Sequence, residues 1–296
     1  MGPKAGAMDH APTGISRRQA LGGALALGAA ALIPAPAQAF ASNRITVTVQ
    51  GAGPDVILIH GVDSATSVWT SSLRALAGHR CHLVQIAGFS GFPARGNAAG
   101  AIVKPVADEI ARYIAEAKLT RPAVIGHSMG GTIALMLAAR ARSPVGRTMV
   151  VDMLPAPAGI LGADAAGIRP FADTLRDLTA TPRGQQLFQS MMGMFGSGND
   201  LAHQSDPGVT ARALHELALI DLTPDLPRIT APLTVVYATP RPGGGADPAR
   251  VTQGYRAAYK GAKTARLFAI ANSGHMIMFD QPVAFQAAVK AFLAAR

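Results

Sequence analysis

Ala123-Val124-Ile125-Gly126-His127-Ser128-Met129-Gly130 is the stretch on which the reading of this chain turns. A short apolar run feeds a pentapeptide of the form G-x-S-x-G, and the residues from Thr132 to Arg140 are helix-forming. The order predicted is strand, sharp turn, helix, with a serine at the apex of the turn. Gly126 and Gly130 leave room where a side chain would collide with the neighbouring strand or helix. A helix starting near Met129 aims its positive end at the serine and favours negative charge developing there. With this glycine and serine content the bare pattern arises by chance roughly 0.15 times per chain, so the strand-to-helix context carries the inference.

Upstream, Ile45, Val47 and Val49 alternate with polar neighbours, and the all-apolar Val56-Ile57-Leu58-Ile59 follows Gly51-Ala52-Gly53-Pro54-Asp55. The pattern predicts a hairpin feeding a buried strand. Gly51 and Gly53 lack the third glycine of a dinucleotide fingerprint, and a strand rather than a helix comes next. The buried strand ends in His60-Gly61-Val62-Asp63-Ser64, before a helical stretch carrying Val68, Trp69, Leu73 and Leu76. Acyl transfer at a serine needs two fixed N–H donors for the oxyanion, one from the residue after the nucleophile and one from a neighbouring strand's loop. Met129 and Val62 are the candidates, and His60 reads as a loop-shaping residue that bonds to backbone. Cys81 to Ile86 is a further strand. Ser90, in the turn after it, lacks glycine at the second required position and a helix directly behind it. A helix is expected from about Ile102 to Ala117, where apolar residues recur at three- and four-residue spacing.

Downstream, Thr148 to Val151 forms another buried strand ending at Asp152. Buried strands alternating with amphipathic helices imply a mostly parallel sheet covered on both faces. The rhythm changes between Leu154 and Ile229, where helical patches appear around Pro170 to Leu178, Gly184 to Phe195 and Thr210 to Ile220 but no clear strand does. An inserted helical cap is predicted there. Its cluster Phe188, Met191, Met192, Met194, Phe195 suits either a pliable apolar substrate cavity or plain core packing. Strands resume at Leu233 to Tyr237 and Ala265 to Ile270, and a closing helix is expected over Val283 to Leu293. The loop between that last strand and the helix holds Ser273-Gly274-His275.

A serine hydroxyl is a weak nucleophile at neutral pH and needs a base within hydrogen-bond reach, itself oriented by a third group. His275 is the natural base, since it lies in a loop after a late strand and downstream of the serine. His127 sits inside the elbow, while His79, His82, His203 and His215 have no comparable loop.

With His60-Gly61, the elbow at Ser128, a cap after Asp152 and Ser273-Gly274-His275 before a terminal helix, the chain resembles the α/β-hydrolase superfamily. The resemblance implies a core of residues 40–153 and 230–296, a helical cap or lid over 154–229, and a serine hydrolase acting on an ester or a related carbonyl bond. It implies a small-molecule ester-like substrate and no cofactor or metal. Epoxide hydrolases and dehalogenases of the superfamily carry aspartate at the elbow, and Ser128 argues against those branches. Relatives usually place the acid just after the strand that is Leu233 to Tyr237 here, yet this chain has Ala238-Thr239-Pro240-Arg241 and no carboxylate before Asp247. Asp152, at the end of the strand before the cap, is the other option and the favoured one. Carbon–carbon bond hydrolysis or perhydrolysis by the same triad, or a catalytically silent binding scaffold, are the alternatives.

The chain has 296 residues, 49% hydrophobic and 15% charged, with a formal charge of +10. Part of the apolar excess lies in residues 1–39, where Ser16-Arg17-Arg18-Gln19-Ala20-Leu21 precedes an Ala/Gly-rich run and Ala37-Gln38-Ala39 offers a small-x-small cleavage site. This predicts a removable twin-arginine export signal and a periplasmic or secreted protein. The apolar run from Ala20 to Ile33, ended by Pro34, falls short of the roughly 20 residues a membrane span needs. Beyond residue 39 the basic residues are mostly arginines spread singly, with no run of five or more and no aromatic interleaving, which argues against nucleic acid as a partner. Cys81 stands alone, so no internal disulfide or multi-cysteine metal site is available.

Overall fold

The computed structural model describes residues 40–158, 167–193, 204–241 and 246–295. The predicted export signal lies outside the described residues, as do Met194, Phe195 and the side chains of Phe188, Met191 and Met192.

Seven strands build one sheet: β1 (Ile45–Gln50), β2 (Asp55–Ile59), β3 (Arg80–Ile86), β4 (Ala123–His127), β5 (Arg147–Val151), β6 (Leu233–Thr239) and β7 (Ala265–Ala271), in the spatial order β1-β3-β2-β4-β5-β6-β7. Only the β1–β3 pair is antiparallel. The expected hairpin between β1 and β2 is therefore corrected, because β1 bonds to β3, with Ile45 opposite Ile86. The reason is burial. β2 is apolar on both faces and takes a place between two parallel strands, while β1, with exposed Thr46, Thr48 and Val49, is suited to an edge.

Alternation along the central strands divides the core in two. Ile57, Ile59, Val124 and Val150 face one apolar cluster, and Val56, Leu58, Ile125, Met149 and Val151 face the other. The first cluster is roofed by α1 (Val103–Glu116) and α2 (Met129–Ala138), which contribute Val106, Ile110, Ile133 and Leu137. The second is covered by a run of 3-10 turns over Thr66–Leu76 and by α8 (Pro282–Ala294), where Trp69 stacks on Phe285 at a centroid distance of 6.4 Å. Each such fully buried side chain contributes about 1.5–3 kcal/mol.

Between β5 and β6 the chain leaves the sheet and forms α3 (Arg169–Thr179), α4 (Pro182–Gly193) and α5 (Pro207–Leu219). Asp206 caps α5 by accepting from Val209 N–H at 2.9 Å. Polar side chains fasten α5 to the sheet-bearing part. The Glu216 carboxylate accepts the Ile102 and Val103 N–H groups at the start of α1, at 2.6 and 3.0 Å. Thr210 Oγ1 donates to Asp63 Oδ1 at 2.5 Å and accepts from Gln185 of α4 at 3.1 Å, which ties two of these helices to the loop after β2. Ser90 belongs to the same seam: its φ is 52° and its N–H donates to Ser205 Oγ at 3.0 Å.

Candidate active site

The elbow forms as its residues require. Ser128 has φ 54° and ψ −122°, a conformation rare for an L-residue, and α2 begins at the next position. Its N–H donates to Val151 O at 3.0 Å and its carbonyl accepts from Gly131 N–H at 2.7 Å, so both sides of the turn are fixed. A Cβ on Gly126 would lie 2.0 Å from the Gly130 carbonyl oxygen, and one on Gly130 would lie 2.2 Å from that of Ile59. Gly61 is a third such position, where a Cβ would lie 2.9 Å from Ser128 Cβ. The loop after β2 thus packs directly on the serine.

His60 fixes that loop. Its Nε2 accepts the Ile86 N–H at 3.0 Å, so Nδ1 carries the proton and donates to the Gly61 carbonyl at 2.7 Å. Because the peptide is planar and trans, pinning the Gly61 C=O also sets the opposite direction for the Val62 N–H. Burial pushes the His60 imidazole down to about 4, which keeps it neutral in this role. Val62 is half-buried and Met129 is fully buried at the first position of α2, where helix N–H groups have no acceptor within the helix.

His275 stands in the loop after β7, held by Ser273 N–H donating to Thr239 O at 3.1 Å and Gly274 N–H donating to Asp280 Oδ2 at 2.8 Å. A short helix, α7 (Ile277–Asp280), closes that loop. His275 Nδ1 donates to Asp152 Oδ2 at 2.8 Å. Oδ1 of the same carboxylate accepts from Ala238 N–H at 2.9 Å and from the Tyr255 hydroxyl at 3.1 Å. Asp152 follows β5 directly, with φ 50° and its N–H donating to Val236 O at 2.8 Å. Asp247, the other carboxylate the sequence offers, is the N-cap of α6 (Pro248–Ala258) and accepts from Ala249 N–H at 3.0 Å. Among the described residues it makes no hydrogen bond to His275, and none joins Ser128 Oγ to His275 Nε2. Serine–base contacts of this kind are often long before substrate arrives.

Two contributors have no signal in the local sequence. One is Tyr255, whose contact with Asp152 spans 103 positions. The other is His127, whose Nε2 donates to the His275 carbonyl at 2.9 Å while the two rings lie 4.6 Å apart. Burial, and then the nearby charge of His275, push the His127 imidazole down to about 3. It stays uncharged beside a neighbour that must accept a proton. No group of three or more His, Cys, Asp or Glu able to hold a metal exists among the described residues.

A mostly parallel sheet whose fourth strand ends in a strained serine, with a histidine–carboxylate pair beyond later strands, defines a hydrolase scaffold built around a nucleophile elbow. The sequence profile described as the alpha/beta hydrolase family matches residues 56–289, and the chain belongs to that family and is a hydrolase. A pimeloyl-(acyl-carrier protein) methyl ester esterase of Vibrio vulnificus (strain YJ016) is 26% identical over 250 residues, covering 80% of this chain and 92% of that relative. Among solved structures, an esterase from Exiguobacterium antarcticum superimposes with a TM-score of 0.67 at 21% identity, over 85% of this chain and 96% of its own. The enol-lactonase from Burkholderia xenovorans LB400 gives 0.61 at 20% identity over the same shares. These two likenesses concern the fold.

Proposed function

We propose that this hydrolase cleaves carboxylic esters through an acyl-enzyme intermediate on Ser128. One observation carries the reading: the 2.8 Å bond from His275 Nδ1 to Asp152 leaves Nε2 as the basic nitrogen, free to serve the strained serine at the elbow. As Ser128 Oγ attacks the carbonyl carbon, His275 Nε2 takes its proton and Asp152 stabilises the resulting imidazolium. The N–H groups of Val62 and Met129 hold the oxyanion of the tetrahedral intermediate. Collapse breaks the ester C–O bond, and His275 returns the proton to the leaving alkoxide. Water then attacks the acyl-serine with His275 again as base, releasing the acid and restoring Ser128.

The printed name of the Vibrio vulnificus relative, a methyl ester esterase, supports an ester with a small alcohol part. The helices between β5 and β6 serve as a cap over 154–229 and select small or medium apolar acyl groups. Export by the twin-arginine route fits a compact unit that begins at Phe40, directly after the expected cleavage site. There the Phe40 ring meets Tyr113 edge-on at 5.0 Å and lies under the Arg112 guanidinium. Fusing residues 1–39 to a reporter tests the export, which is wrong if the passenger stays in the cytoplasm or if Arg17→Lys with Arg18→Lys leaves its transport unchanged.

A fluorophosphonate probe tests the nucleophile. It should label the wild-type protein and leave Ser128→Ala unlabelled, and a folded wild type that resists labelling would overturn the acyl-enzyme reading. Turnover of esters graded in chain length, beside lactones and diketones, then separates ester cleavage from carbon–carbon bond hydrolysis.

A further inference from the structure

The corner that holds Asp152 contains a stack of three tyrosines. The Tyr255 ring lies 4.3 Å from Tyr237 at an interplanar angle of 17°, and 6.5 Å from Tyr259 at 4°. Two of their hydroxyls reach the end of β5. Tyr255 donates to Asp152 Oδ1, and Tyr259 donates to the Met153 carbonyl at 2.7 Å. Tyr255 is 8% exposed and Tyr259 2%, so neither hydroxyl trades its partner freely for water. Asp152 needs such support, because an L-residue at φ 50° keeps that conformation only where its surroundings impose it. Its two oxygens are also treated differently. Ala238 N–H and the Tyr255 hydroxyl both go to Oδ1, which leaves Oδ2 for His275.

We propose that Tyr255 is a positioning residue for the hydrolytic reaction: acting through Asp152, its hydroxyl fixes which carboxylate oxygen faces His275 and draws charge from that oxygen. The proposal rests on the reading of Asp152 as the acid of the triad. Burial and the adjacent Asp152 charge hold the Tyr255 phenol well above its ordinary range, so it remains a donor at any working pH. Removing the donor returns negative charge to Oδ2 and strengthens its hold on a protonated imidazole. The acid limb of kcat/KM should then move to higher pH. Among the described residues, His127 lies against the His275 ring and Asp280 accepts the N–H of the adjacent Gly274. Neither is touched by a change at Tyr255.

The experiment compares Tyr255→Phe, Asp152→Asn and the double variant on an activated short-chain p-nitrophenyl ester across pH, with thermal melts alongside. Phenylalanine keeps the ring in the stack and removes only the hydroxyl. Tyr255→Phe should lower kcat about tenfold, the scale of one hydrogen bond to a charged group. KM should stay within about twofold and the acid limb should shift upward. Asp152→Asn should lose about 10³–10⁴-fold, and adding Tyr255→Phe should cost nothing more, since both act through one carboxylate. The proposal falls if Tyr255→Phe leaves kcat and the acid limb in place, whatever its melting temperature, while Asp152→Asn is crippled. It falls too if the losses in the double variant add. Near-normal turnover by Asp152→Asn instead removes the acid assignment itself, a result distinct from either.

Discussion

Ser128 and Asp152 follow neighbouring parallel strands, and both have a positive φ, 54° and 50°, yet different means hold them there. At Ser128 the restraint is close packing of the turn against its neighbours, mostly backbone against backbone. Gly126, Gly130 and Gly61 bring the β4 turn, α2 and the loop after β2 so close that no Cβ fits at any of the three. At Asp152 the restraint comes from donors on other elements: Ala238 N–H from β6, Tyr255 from α6 and His275 from the loop after β7. A turn made by close backbone approach is rigid but intolerant of added volume. One made by convergent hydrogen bonds can be adjusted group by group.

Acid should break the elbow side first, because that side depends on two buried neutral imidazoles. His60 and His127 are held at about 4 and about 3 in the folded protein, against an ordinary value of 6.5. Below about 6.5 the unfolded chain takes up protons that the folded protein refuses, so the stability they contribute is complete above that pH and declines as pH falls towards about 4. The expected slope steepens to about 1.4 kcal/mol per pH unit for each histidine well below pH 6.5, which gives about 3 kcal/mol in total between pH 6.5 and 5. Glu216, raised by burial, works in the opposite direction and flattens the lower end. Urea unfolding at pH 7.5, 6.5 and 5 measures this. A free energy unchanged across that span would mean that the elbow side accommodates imidazolium and is not the acid-sensitive half.

The same contrast explains what could be read from the sequence. Backbone packing at the elbow demands glycine at fixed spacing, so Gly126-His127-Ser128-Met129-Gly130 carries its own signature. Alternating apolar strands and amphipathic helices likewise imposed the parallel sheet. The loop carrying His275 could be singled out from its place after a late strand. The acid corner could not be read in this way, because its parts come together only in the fold. Asp152 and His275 are 123 positions apart, and nothing near Tyr255 in sequence distinguishes it from an ordinary buried ring on a helix. Asp247 is a rival that the sequence alone cannot set aside, and in the fold its carboxylate caps α6. The pairing of β1 is hidden for a related reason: adjacency in sequence points to β2, whereas strand pairing follows burial across the whole sheet and joins β1 to β3.

Adding one methyl group sharpens the comparison. In Gly130→Ala the new Cβ would meet the Ile59 carbonyl oxygen at 2.2 Å and the His60 carbonyl oxygen at 2.8 Å, both backbone atoms with little freedom to move. The expected loss is about 3 kcal/mol of stability, together with activity, as the loop bearing Val62 is pushed off the serine. Denaturant titration and ester turnover measure the two effects. Full stability in this variant would mean that the close approach is loose in solution.

On α6, beside the acid corner, backbone changes should be mild and of either sign. Asp247→Ala removes the N-cap acceptor for Ala249 N–H and should cost about 1 kcal/mol, a fall in Tm of about 3 °C, with turnover retained. Gly254→Ala lies on the exposed side of the same helix, where an added Cβ meets no atom within 4 Å. Alanine there narrows the unfolded ensemble and favours helix, so a gain of about 0.5–1 kcal/mol is expected. Thermal melts of the two variants and their double would show the changes adding, because cap and mid-helix site share no partner. A substantial loss of turnover in Asp247→Ala with the fold intact would return that carboxylate to contention as the acid, and the contrast between a backbone-built elbow and a corner built around Asp152 would fail.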